Sequence, residues 1–528
     1  MATGPPVRSE PELDPPQEFV TIMDPVHGSI QLDKYLFKII DRPEFQRLRK
    51  IKQFGGVYYV YPGGVHTRFE HSIGVCYIAG QLVEALNKHC PPEEEKLHEW
   101  FTQEEKMCVQ IAALCHDIGH GPFSHVYDIA VKEYYKKLKS KQKMKEFITS
   151  KEDEYGDNEK VDSYVEKEEL PKKAKHEYRS ALIVERMMEE LTFDKRFEKD
   201  KSRYIKLIQD MITFSEQGFD NAEETLPSRK TYKQKAFLFE IVANGFTGID
   251  VDKMDYFARD ARGVGLPNNF DWRWYTQTAK ILECDDGFHH ICSREKDALN
   301  LYELFHTRNL LHRTVYWHKT VAVIQEMMLL ALVEANKYIQ VNGRPLLECW
   351  EDKESFQLLD DTIEDFIVKK TENRDGKIQI AMHAVDGAND TARDYFLKIK
   401  ERKIWKFVGR QQNPKEEDIA ICVADQQNPK EKDIAIHVTD QQNPKEEDIA
   451  IRVTDQQNPK EEIIAICVAE NEISRKKIKD NLKSIKTKFN YGMGEDDPIQ
   501  FHYFYGKMYP THPFHLDKDE VNPGKKSY

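Results

Sequence analysis

The sequence has no cysteines at a C-x-x-C spacing, no apolar segment at its N-terminus and no excess of positive charge. Nine cysteines are scattered along 528 residues, a usage that is typical of reduced thiols in an intracellular protein and that argues against a disulfide framework or a zinc ribbon. The N-terminal residues MATGPPVRSEPELDPPQEF contain no hydrophobic run, so we expect no secretory signal. The formal net charge of −13 argues against a protein that coats nucleic acid through bulk electrostatics.

Long hydrophobic runs are also lacking. The longest, VAVIQEMMLLALVEA from Val321, contains Gln325 and Glu326. It is too short and too polar to span a bilayer, so it predicts a buried helix and no membrane partner. Hydrophobic residues make up 40% and charged residues 32% of the chain. A sizeable core is therefore compatible with a polar surface, in two or three domains or in one large domain with a lobe.

Most of the sequence shows the apolar spacing of α-helices. Apolar residues recur at spacings of three and four in YIAGQLVEALNKH, EEKMCVQIAALCHDIGH and HEYRSALIVERMMEEL. The pattern predicts a mainly α protein. We divide it into a Pro- and Glu-rich disordered tail at residues 1–18, a helical domain at residues 19–395 and a smaller α+β C-terminal lobe at residues 396–528.

Two segments interrupt the helical pattern. Residues 132–175 form a charged insertion in which a basic run, KKLKSKQKMK, is followed by an acidic one. We interpret it as a solvated, mobile insertion, and a contact of its basic half with nucleic acid or another partner is the alternative. Residues 411–470 are four 15-residue repeats of the form QQNPKEEDIAICVAD, each a turn signal followed by an alternating run. We favour a tandem duplication inside a surface loop, with a small stacked sheet as the alternative.

Three segments concentrate histidine and acidic side chains in apolar surroundings. His71 lies in RFEHSIGV, and His116 and Asp117 lie in ALCHDIGHGPFSH. The segment GIDVDKMDYFARD supplies Asp250, Asp252, Asp255 and Asp260. Buried imidazoles and carboxylates are costly unless they are paired, hydrogen-bonded or bound to metal, so these residues form either a polar core network or a metal site. Two imidazoles and two carboxylates from three helices would suit iron, manganese or zinc better than calcium and would leave positions for water or phosphate oxygens.

Further charged residues surround these segments. Some could shuttle protons, because imidazole titrates near neutral pH; these are His120, His125, His176 and Glu177. Arginine binds phosphate bidentately and lysine binds it as a point charge; the candidates are Arg68, Lys253 and Arg308. The basic and aromatic run HTRNLLHRTVYWHK is equally typical of helix packing with exposed cations.

His71, the His116-Asp117 doublet and Asp252 match the H…HD…D signature of the HD phosphohydrolase superfamily. Within it, six segments in order resemble the animal SAM and HD domain-containing deoxynucleoside triphosphate (dNTP) triphosphohydrolases. They are DPVHGSIQL, FQRLRKIKQFGG, TRFEHSIGV, CHDIGHGPFSH, GIDVDKMDYFARD and LFHTRNLLHR. The resemblance covers residues 19–130 and 176–409, and faintly residues 491–507. It implies a mainly α, HD-domain helical fold, with the HD catalytic domain at residues 19–395 and a truncated lobe after it.

The resemblance also implies the chemistry. Members of the family hydrolyse a dNTP to the deoxynucleoside and inorganic triphosphate, with a divalent metal (Zn, Fe or Mn) at the HD site and Mg²⁺ on the triphosphate. The implied metal ligands are His71, His116, Asp117 and Asp252. His125 would protonate the leaving 5′-oxygen, near a catalytic pair of His176 and Glu177. The implied triphosphate contacts are Arg68, His120, Lys253, Tyr256 and Arg308, and the implied sugar contacts are Gln53, Asp260 and Tyr316.

Nucleotide activation is a further implication of the resemblance. Family members bind GTP or dGTP, together with a dNTP, between subunits of a tetramer, so we expect a homo-oligomer that passes from dimer to tetramer on activation. The guanine-reading positions are matched by Asp41, Gln46 and Arg49, and the activator-phosphate positions by Arg294, Lys296 and Lys507.

Several activator positions differ from the family pattern. Val20 and Met23 replace a lysine and an asparagine, and Trp274 replaces a phosphate-contacting arginine, although Arg273 adjoins it. We also expect no SAM domain before the HD region and a truncated C-terminal lobe, since Tyr528 falls before the family's lobe that helps to form the tetramer. We therefore expect catalysis to be retained and activator control to be weakened.

Two other functions are compatible with the sequence. The first is an HD hydrolase of another specificity, such as a phosphodiesterase or a nucleotidase that releases pyrophosphate. The second is a catalytically weak paralogue that binds nucleotides, or binds single-stranded nucleic acid with a steep salt dependence through its basic insertion. The family also implies a role in limiting cellular dNTP pools and in antiviral restriction, and a nuclear location, with a cytoplasmic location as the alternative.

Overall fold

The structure is a computed structural model, and it describes residues 18–90, 100–140, 175–191, 197, 200–217, 229–369, 378–380, 388–405, 411–412, 434–440, 448–455, 504–505 and 513–514. Residues 1–17 of the predicted tail, residues 141–174 of the charged insertion, most of the first repeat, the fourth repeat and Lys507 lie outside the described residues.

Helices make up most of the described chain, as the periodicity predicts. They are α1 (Lys34–Ile40), α2 (Pro43–Gln46), α3 (Arg68–Lys88), α4 (Gln103–Cys115), α5 (His125–Ser140), α6 (His176–Glu190), α7 (Lys201–Gln217), α8 (Arg229–Lys235), α9 (Val251–Val264), α10 (Trp272–Thr278), α11 (Ala298–Leu311), α12 (Lys319–Ala335), α13 (Lys353–Gln357), α14 (Ile363–Lys369) and α15 (Ala388–Lys400). The predicted mainly α fold is therefore confirmed.

The strands form small sheets. They are β1 (Phe19–Asp24), β2 (Gly28–Asp33), β3 (Lys280–Glu283), β4 (His289–Arg294), β5 (Ile339–Val341), β6 (Arg344–Pro345), β7 (Ile378–Ile380), β8 (Gln411–Gln412), β9 (Ile434–Asp440), β10 (Asp448–Asp455), β11 (Phe504–Tyr505) and β12 (Pro513–Phe514). The pairs β1–β2, β3–β4 and β11–β12 are antiparallel, and β11 adds to β4 in parallel. Strand β5 pairs with β6 and β7. Repeats two and three supply β9 and β10, which pair antiparallel.

Capping boxes fix where the helices that carry the predicted metal ligands begin. Thr67 precedes α3, and its N–H donates to Glu70 Oε1 at 2.8 Å. Thr102 and Glu105 form the same reciprocal pair at the start of α4, at 2.9 and 3.2 Å. Because each box satisfies backbone N–H groups that the first turn leaves unpaired, α3 starts so that His71 lies one turn inside it, and α4 ends at the HD doublet.

The described apolar residues pack into two large cores. The first lies among α3, α4, α7 and α9, and the second lies among α5, α12 and α15. The turn of residues 116–124 connects them, since Ile118 is buried in the first core and Phe123 in the second. The HD doublet therefore lies where the two cores join.

The longest apolar run of the sequence forms α12, which packs against α5 and α15. Its buried face confirms the predicted core helix. None of the described helices combines the length and the apolar character that crossing a bilayer would require.

Helices α3 and α9 approach each other closely at Gly74. A methyl group at this position would lie 2.0 Å from Asp255 Oδ1 and 2.5 Å from Arg259 Nη2, far inside van der Waals contact. Both side chains are buried and hydrogen-bonded to each other, so neither can move aside freely. Glycine at this position lets α9 bring its acidic residues up to α3.

We expect Gly74→Ala to lower the free energy of unfolding by about 2–3 kcal/mol, because an added methyl group in a packed contact forces the backbone to shift. Gly80→Ala on the same helix is the matched control: its methyl group would meet only the flexible end of Gln110, 2.7 Å from Nε2, and alanine favours the helix. Urea unfolding followed by circular dichroism measures both variants. Equal stability of the two would contradict the close approach of the helices.

Candidate active site

Four predicted metal ligands converge where the two cores join. His71 Nε2 lies 3.3 Å from His116 Nε2, 3.3 Å from Asp117 Oδ2 and 3.1 Å from Asp252 Oδ1. His116 Nε2 lies 3.4 Å from Asp117 Oδ2 and 3.3 Å from Asp252 Oδ1. Two histidines and two aspartates, from α3, the turn after α4 and α9, thus present one ligand atom each to a common point.

This donor set fits a divalent cation. Donor atoms 3.1–3.4 Å apart match the edges of a coordination polyhedron with bonds of about 2.0–2.2 Å, as histidine and carboxylate ligands form with zinc. Mixed imidazole and carboxylate ligation also occurs with iron and manganese. The geometry therefore supports a divalent-metal site formed by His71, His116 and Asp252, with Asp117 Oδ2 beside both histidines as the fourth candidate ligand.

Oxygen acceptors fix the outer ring nitrogens of both histidines. His116 Nδ1 lies 2.8 Å from the Ala113 carbonyl oxygen, and His71 Nδ1 lies 2.8 Å from Asp255 Oδ2. A proton on each Nδ1 leaves Nε2 as the electron-pair donor, which is the tautomer that metal ligation requires. The hydrogen bonds thus orient both rings toward the centre.

A buried network supports His71 from behind. Arg259 donates to both oxygens of Asp255 at 2.8 and 2.9 Å and lies 3.0 Å from Asp24 Oδ2. His27 Nε2 lies 2.6 Å from the second oxygen of Asp255. Burial opposes ionisation of Asp255, but Arg259 outweighs it and holds the pKa of this carboxyl well below its usual value. Asp255 is therefore an ionised acceptor that holds His71 in place.

Charge pairing outweighs burial in setting the protonation of the metal ligands. Burial favours neutral His71, but the carboxylates of Asp117, Asp252 and Asp255 raise the pKa of His71 well above its usual value. Burial also favours neutral His116, but Asp117 and Asp252 raise its pKa. Burial opposes ionisation of Asp252, but His116 and His71 lower its pKa. A cation at the centre would therefore compete with protons for these histidine nitrogens.

A second group of imidazoles lies on the other side of Asp117. His120 stacks on His176 with ring centroids 3.8 Å apart, and His120 Nε2 lies 3.3 Å from Asp117 Oδ1. His176 begins α6, and its Nδ1 lies 3.1 Å from Asp128 Oδ2. His125 begins α5 with a side chain that is 64% exposed, and its Nδ1 lies 3.7 Å from the same oxygen of Asp128. One carboxylate thus aligns two predicted catalytic histidines.

The two stacked imidazoles differ in their affinity for protons. Burial and the Arg68 guanidinium hold the pKa of His120 well below its usual value. Burial alone would lower the pKa of His176 too, but Glu177 and Asp128 raise it. Glu177 Oε2 lies 3.3 Å from His176 Nδ1, so the structure brings the predicted pair together. The pKa values of the two stacked rings are therefore shifted in opposite directions.

Arg68 connects the metal ligands to the turn after α4. Its guanidinium donates to Asp117 Oδ2, to Ser124 Oγ at 3.1 Å and to the Gln53 carbonyl oxygen at 2.8 Å. Gln53 Oε1 and the ring nitrogens of His120 are buried without a hydrogen-bond partner among the described residues. Because buried polar atoms are normally paired, these atoms are available to a ligand.

Two of the predicted sugar contacts, Asp260 and Tyr316, meet between α9 and the π-helical turn after α11. Tyr316 Oη donates to Asp260 Oδ2 at 2.6 Å, and Asp260 Oδ1 lies 2.7 Å from His66 Nε2. Tyr256, one turn before Asp260 on α9, has its ring centroid 6.4 Å from that of His71. The Tyr316–Asp260 pair therefore borders the metal centre on the α9 side.

Two more predicted phosphate contacts lie on α9 and α11. Lys253 follows the metal ligand Asp252 directly and donates to Asp250 Oδ2 at 2.7 Å. Arg308 lies in the last turn of α11, half-buried, and no carboxylate pairs with it in the part of the chain that the structure describes. Arg308 is therefore available to an anionic ligand, whereas Lys253 would have to exchange its partner.

Three of the predicted activator residues, Gln46, Arg49 and Arg294, have internal partners. Gln46 Oε1 accepts from Arg49 Nε at 2.8 Å. Arg294 donates to Asp297 at 2.6 and 3.0 Å, and its guanidinium lies 5.2 Å from the centroid of the Trp274 ring. The other described residues of this set are Asp41, which ends α1, and Lys296, which lies in the turn before α11.

Sequence patterns miss two residues of the site. Asp128 follows His125 by three positions on α5, a spacing at which helical side chains are neighbours, so this signal could have found it. His27 contacts Asp255 across 228 residues of sequence, and no local pattern could have found that pair.

Comparison with known proteins agrees with this geometry. The family model "HD domain" matches residues 68–212, a span that contains three of the four metal ligands. The deoxynucleoside triphosphate triphosphohydrolase SAMHD1 of Gallus gallus is 36% identical over 407 residues, which are 75% of this chain and 57% of that protein.

Two further relatives give the same result. SAMHD1 of Homo sapiens is 36% identical over 402 residues, 74% of this chain and 55% of that protein. The SAMHD1 homolog of Dictyostelium discoideum is 30% identical over 387 residues, 73% of this chain and 59% of that protein. The matched region thus spans little more than half the length of these relatives. The predicted resemblance is confirmed: residues 68–212 match the HD domain, and the chain is similar to the SAMHD1 deoxynucleoside triphosphate triphosphohydrolases.

Proposed function

We propose that this chain is a metal-dependent hydrolase that cleaves dNTPs to a deoxynucleoside and inorganic triphosphate. The observation that carries the proposal is the position of Asp117, with metal-ligand atoms at one carboxylate oxygen and a histidine cluster at the other. Hydrolysis of a phosphate ester needs an activated water on one side of phosphorus and a proton for the leaving oxygen on the other. The relatives are named deoxynucleoside triphosphate triphosphohydrolases, and dNTPs are proposed as the substrate class on that basis.

The metal would be held by His71, His116, Asp117 and Asp252. When bound, such an ion lowers the pKa of a water molecule and polarises a phosphoryl oxygen. Asp255 and the Ala113 carbonyl keep both imidazoles in the ligating tautomer.

The histidine cluster would supply the proton. His125 is largely exposed, and its Nδ1 lies 3.7 Å from Asp128 Oδ2. It can therefore reach the leaving 5′-oxygen of a substrate that binds from solvent. Glu177 and Asp128 raise the pKa of His176, which favours a proton on this ring beside His125.

The triphosphate would be neutralised by cations on three helices and by Mg²⁺. Arg68 donates to Asp117 and would donate to phosphate oxygens when substrate is bound. An arginine suits this exchange better than a lysine, because its guanidinium can bind two oxygens at once. Arg308 on α11 and Lys253 on α9 would contact the distal phosphates, with His120 as a neutral donor. Tyr256, between the metal centre and Arg308, would border the phosphates as the resemblance implies.

The sugar would be read by Tyr316, Asp260 and Gln53. The hydrogen bond from Tyr316 to Asp260 fixes the ring, and a fixed ring against the 2′ carbon excludes a ribose hydroxyl by steric contact. Rejection of an extra hydroxyl is stronger when that oxygen is also left without a partner.

We expect His116→Ala to lower metal occupancy and triphosphate release by at least about 100-fold, because one of four ligand atoms is lost. His89→Ala is the matched control: both histidines end a helix and place Nδ1 near a carbonyl oxygen, at 2.8 Å for His116 and 3.0 Å for His89, but His89 is not among the metal ligands. Elemental analysis after dialysis gives the occupancy, and anion-exchange chromatography of products from dGTP with Mg²⁺ gives the activity.

The products decide among the candidate functions. Triphosphate and deoxynucleoside from the wild type, lost in His116→Ala and kept in His89→Ala, would support the proposal. Pyrophosphate with a nucleoside monophosphate would instead indicate an HD hydrolase of another specificity. Nucleotide binding without turnover in the metal-loaded protein would favour the binding alternative.

Sugar selectivity gives a second test. We expect Tyr316→Ala to lower the ratio of kcat/KM for dGTP over GTP by about tenfold or more, because removing the ring opens space at the 2′ position. Tyr316→Phe keeps the ring and loses only the hydrogen bond to Asp260, so it should retain most of the selectivity. Competition assays with both nucleotides measure the ratio. An unchanged ratio in Tyr316→Ala would place the sugar elsewhere.

We also propose that activator control is weaker here than in the relatives. The pairing of Arg294 with Asp297 and its stacking on Trp274 support this proposal, since a neutralised guanidinium attracts phosphate less. We expect GTP to raise dATP hydrolysis less than about twofold in the wild type and more in Trp274→Arg, which adds a free cation. A strict requirement of the wild type for GTP would contradict weakened control. The oligomeric state, the nuclear location and the antiviral role stay predictions.

A further inference from the structure

Two consecutive residues of the turn before α5 have left-handed backbones. Phe123 has a φ of 60° and Ser124 a φ of 57°, and neither is glycine. Side chains with a Cβ rarely adopt this conformation, which persists only where the surrounding structure enforces it. The turn directly precedes His125, so whatever enforces the conformation also sets the position of this histidine.

The carboxylate of Asp361 holds the turn. Phe123 N–H donates to Asp361 Oδ1 at 2.7 Å, and Lys52 N–H donates to Asp361 Oδ2 at 3.0 Å. Asp361 lies between α13 and α14, outside the matched HD-domain region, and its side chain is only 7% exposed. One carboxylate from a distant part of the chain thus connects two backbone segments.

Both segments contact the site. Ser124 Oγ donates to the Lys52 carbonyl oxygen at 2.7 Å and accepts from Arg68 Nε at 3.1 Å. Arg68 also donates to the carbonyl oxygen of Gln53, the residue after Lys52. The guanidinium that faces Asp117 is therefore held between the two segments that Asp361 connects.

We propose that Asp361 is a positioning residue for this site: its two backbone hydrogen bonds enforce the left-handed turn and thereby place Arg68 and His125. The inference rests on the proposed function, since it assigns a positioning role within the same site. Asp361 reaches neither the metal ligands nor the histidine cluster, and it acts only through Phe123 and Lys52.

The charge of Asp361 provides a readout that a purely structural role would not move. Burial raises the pKa of Asp361 to about 6, and the charge of Asp360 adds to the rise. The N–H groups of Phe123 and Lys52 and the Lys52 ammonium oppose it. Arg47 and Tyr58 also interact with its charge. A protonated carboxyl has one oxygen that donates, so it cannot accept both N–H groups equally well.

The direction in which pH changes folding stability distinguishes the expected loss of activity from unfolding. The native pKa of Asp361 is above the usual value of about 3.9, so the native state binds this proton more readily than the unfolded chain does. Acidification through pH 6 therefore favours folding at this group. A loss of activity in that range that depends on Asp361 reflects the turn rather than unfolding.

The test compares Asp361→Asn with Asp360→Asn in the full-length chain. Asparagine has nearly the same shape as aspartate but turns one acceptor into a donor, which opposes one of the two N–H groups. Asp360 is the matched control at pH 7.5, well above the pKa of Asp361: among the described residues its carboxylate accepts from Thr362 N–H at 2.9 Å and lies 3.3 Å from Lys50 Nζ, and it bonds to neither Phe123 nor Lys52. Activity, metal content and hydrogen exchange of the 119–127 segment are measured for all three proteins.

We expect Asp361→Asn to lower kcat/KM for dGTP about 10- to 100-fold near pH 7.5, as small displacements of positioned groups do. The ratio of wild type to Asp361→Asn should then fall about fivefold or more on going to about pH 5, because the wild-type carboxyl becomes neutral. Metal content should stay unchanged, and the 119–127 segment should exchange faster. Asp360→Asn should match the wild type in kcat/KM at pH 7.5, in metal content and in hydrogen exchange.

Two results would overturn the inference. One is a ratio of wild type to Asp361→Asn that does not change with pH, and the other is unchanged exchange of the 119–127 segment in Asp361→Asn. An inactive wild type would refute the proposed function instead, and hydrogen exchange would still decide whether Asp361 holds the turn.

Discussion

The carboxylate of Asp117 is the interaction on which the rest of the site depends. Its Oδ2 faces Arg68 and two metal-ligand histidines, while its Oδ1 faces His120 and lies 3.9 Å from His176 Nε2. A carboxylate buried to this extent would be strongly unfavourable without partners. Each basic group that relieves this cost is also placed by it, so the predicted metal ligands, phosphate contacts and proton donors are arranged around one side chain.

The backbone around Asp117 needs support as well, because a buried turn leaves N–H and carbonyl groups that must be paired. Ser180 on α6 accepts from Gly119 N–H and donates to the His116 carbonyl oxygen, and Arg179 donates to the Gly119 carbonyl oxygen. Arg47 donates to two further carbonyl oxygens of the turn. A Cβ on Gly119 would lie 2.3 Å from the backbone oxygen of the residue that begins α6, so only glycine allows α6 to approach so closely.

The sequence predicts those features that depend on neighbours along the chain. Helical periodicity and the HD doublet are local, and the structure confirms the helices and brings the four predicted metal ligands together. The partners of these ligands are not local: His27 meets Asp255 across 228 residues, and Phe123 meets Asp361 across 238. The left-handed turn escapes prediction for the same reason, since it is enforced by a distant carboxylate and contains no glycine at the two positions concerned.

The turn of residues 116–124 belongs to both hydrophobic cores, and this affects how the folded protein responds to a ligand. Under the proposed function, a nucleotide held by side chains on both sides of the turn would bind only when both cores are folded, so its binding free energy would add to the stability of each. Unfolding of either core would then release the nucleotide, and the bound ligand would couple the unfolding of the two cores.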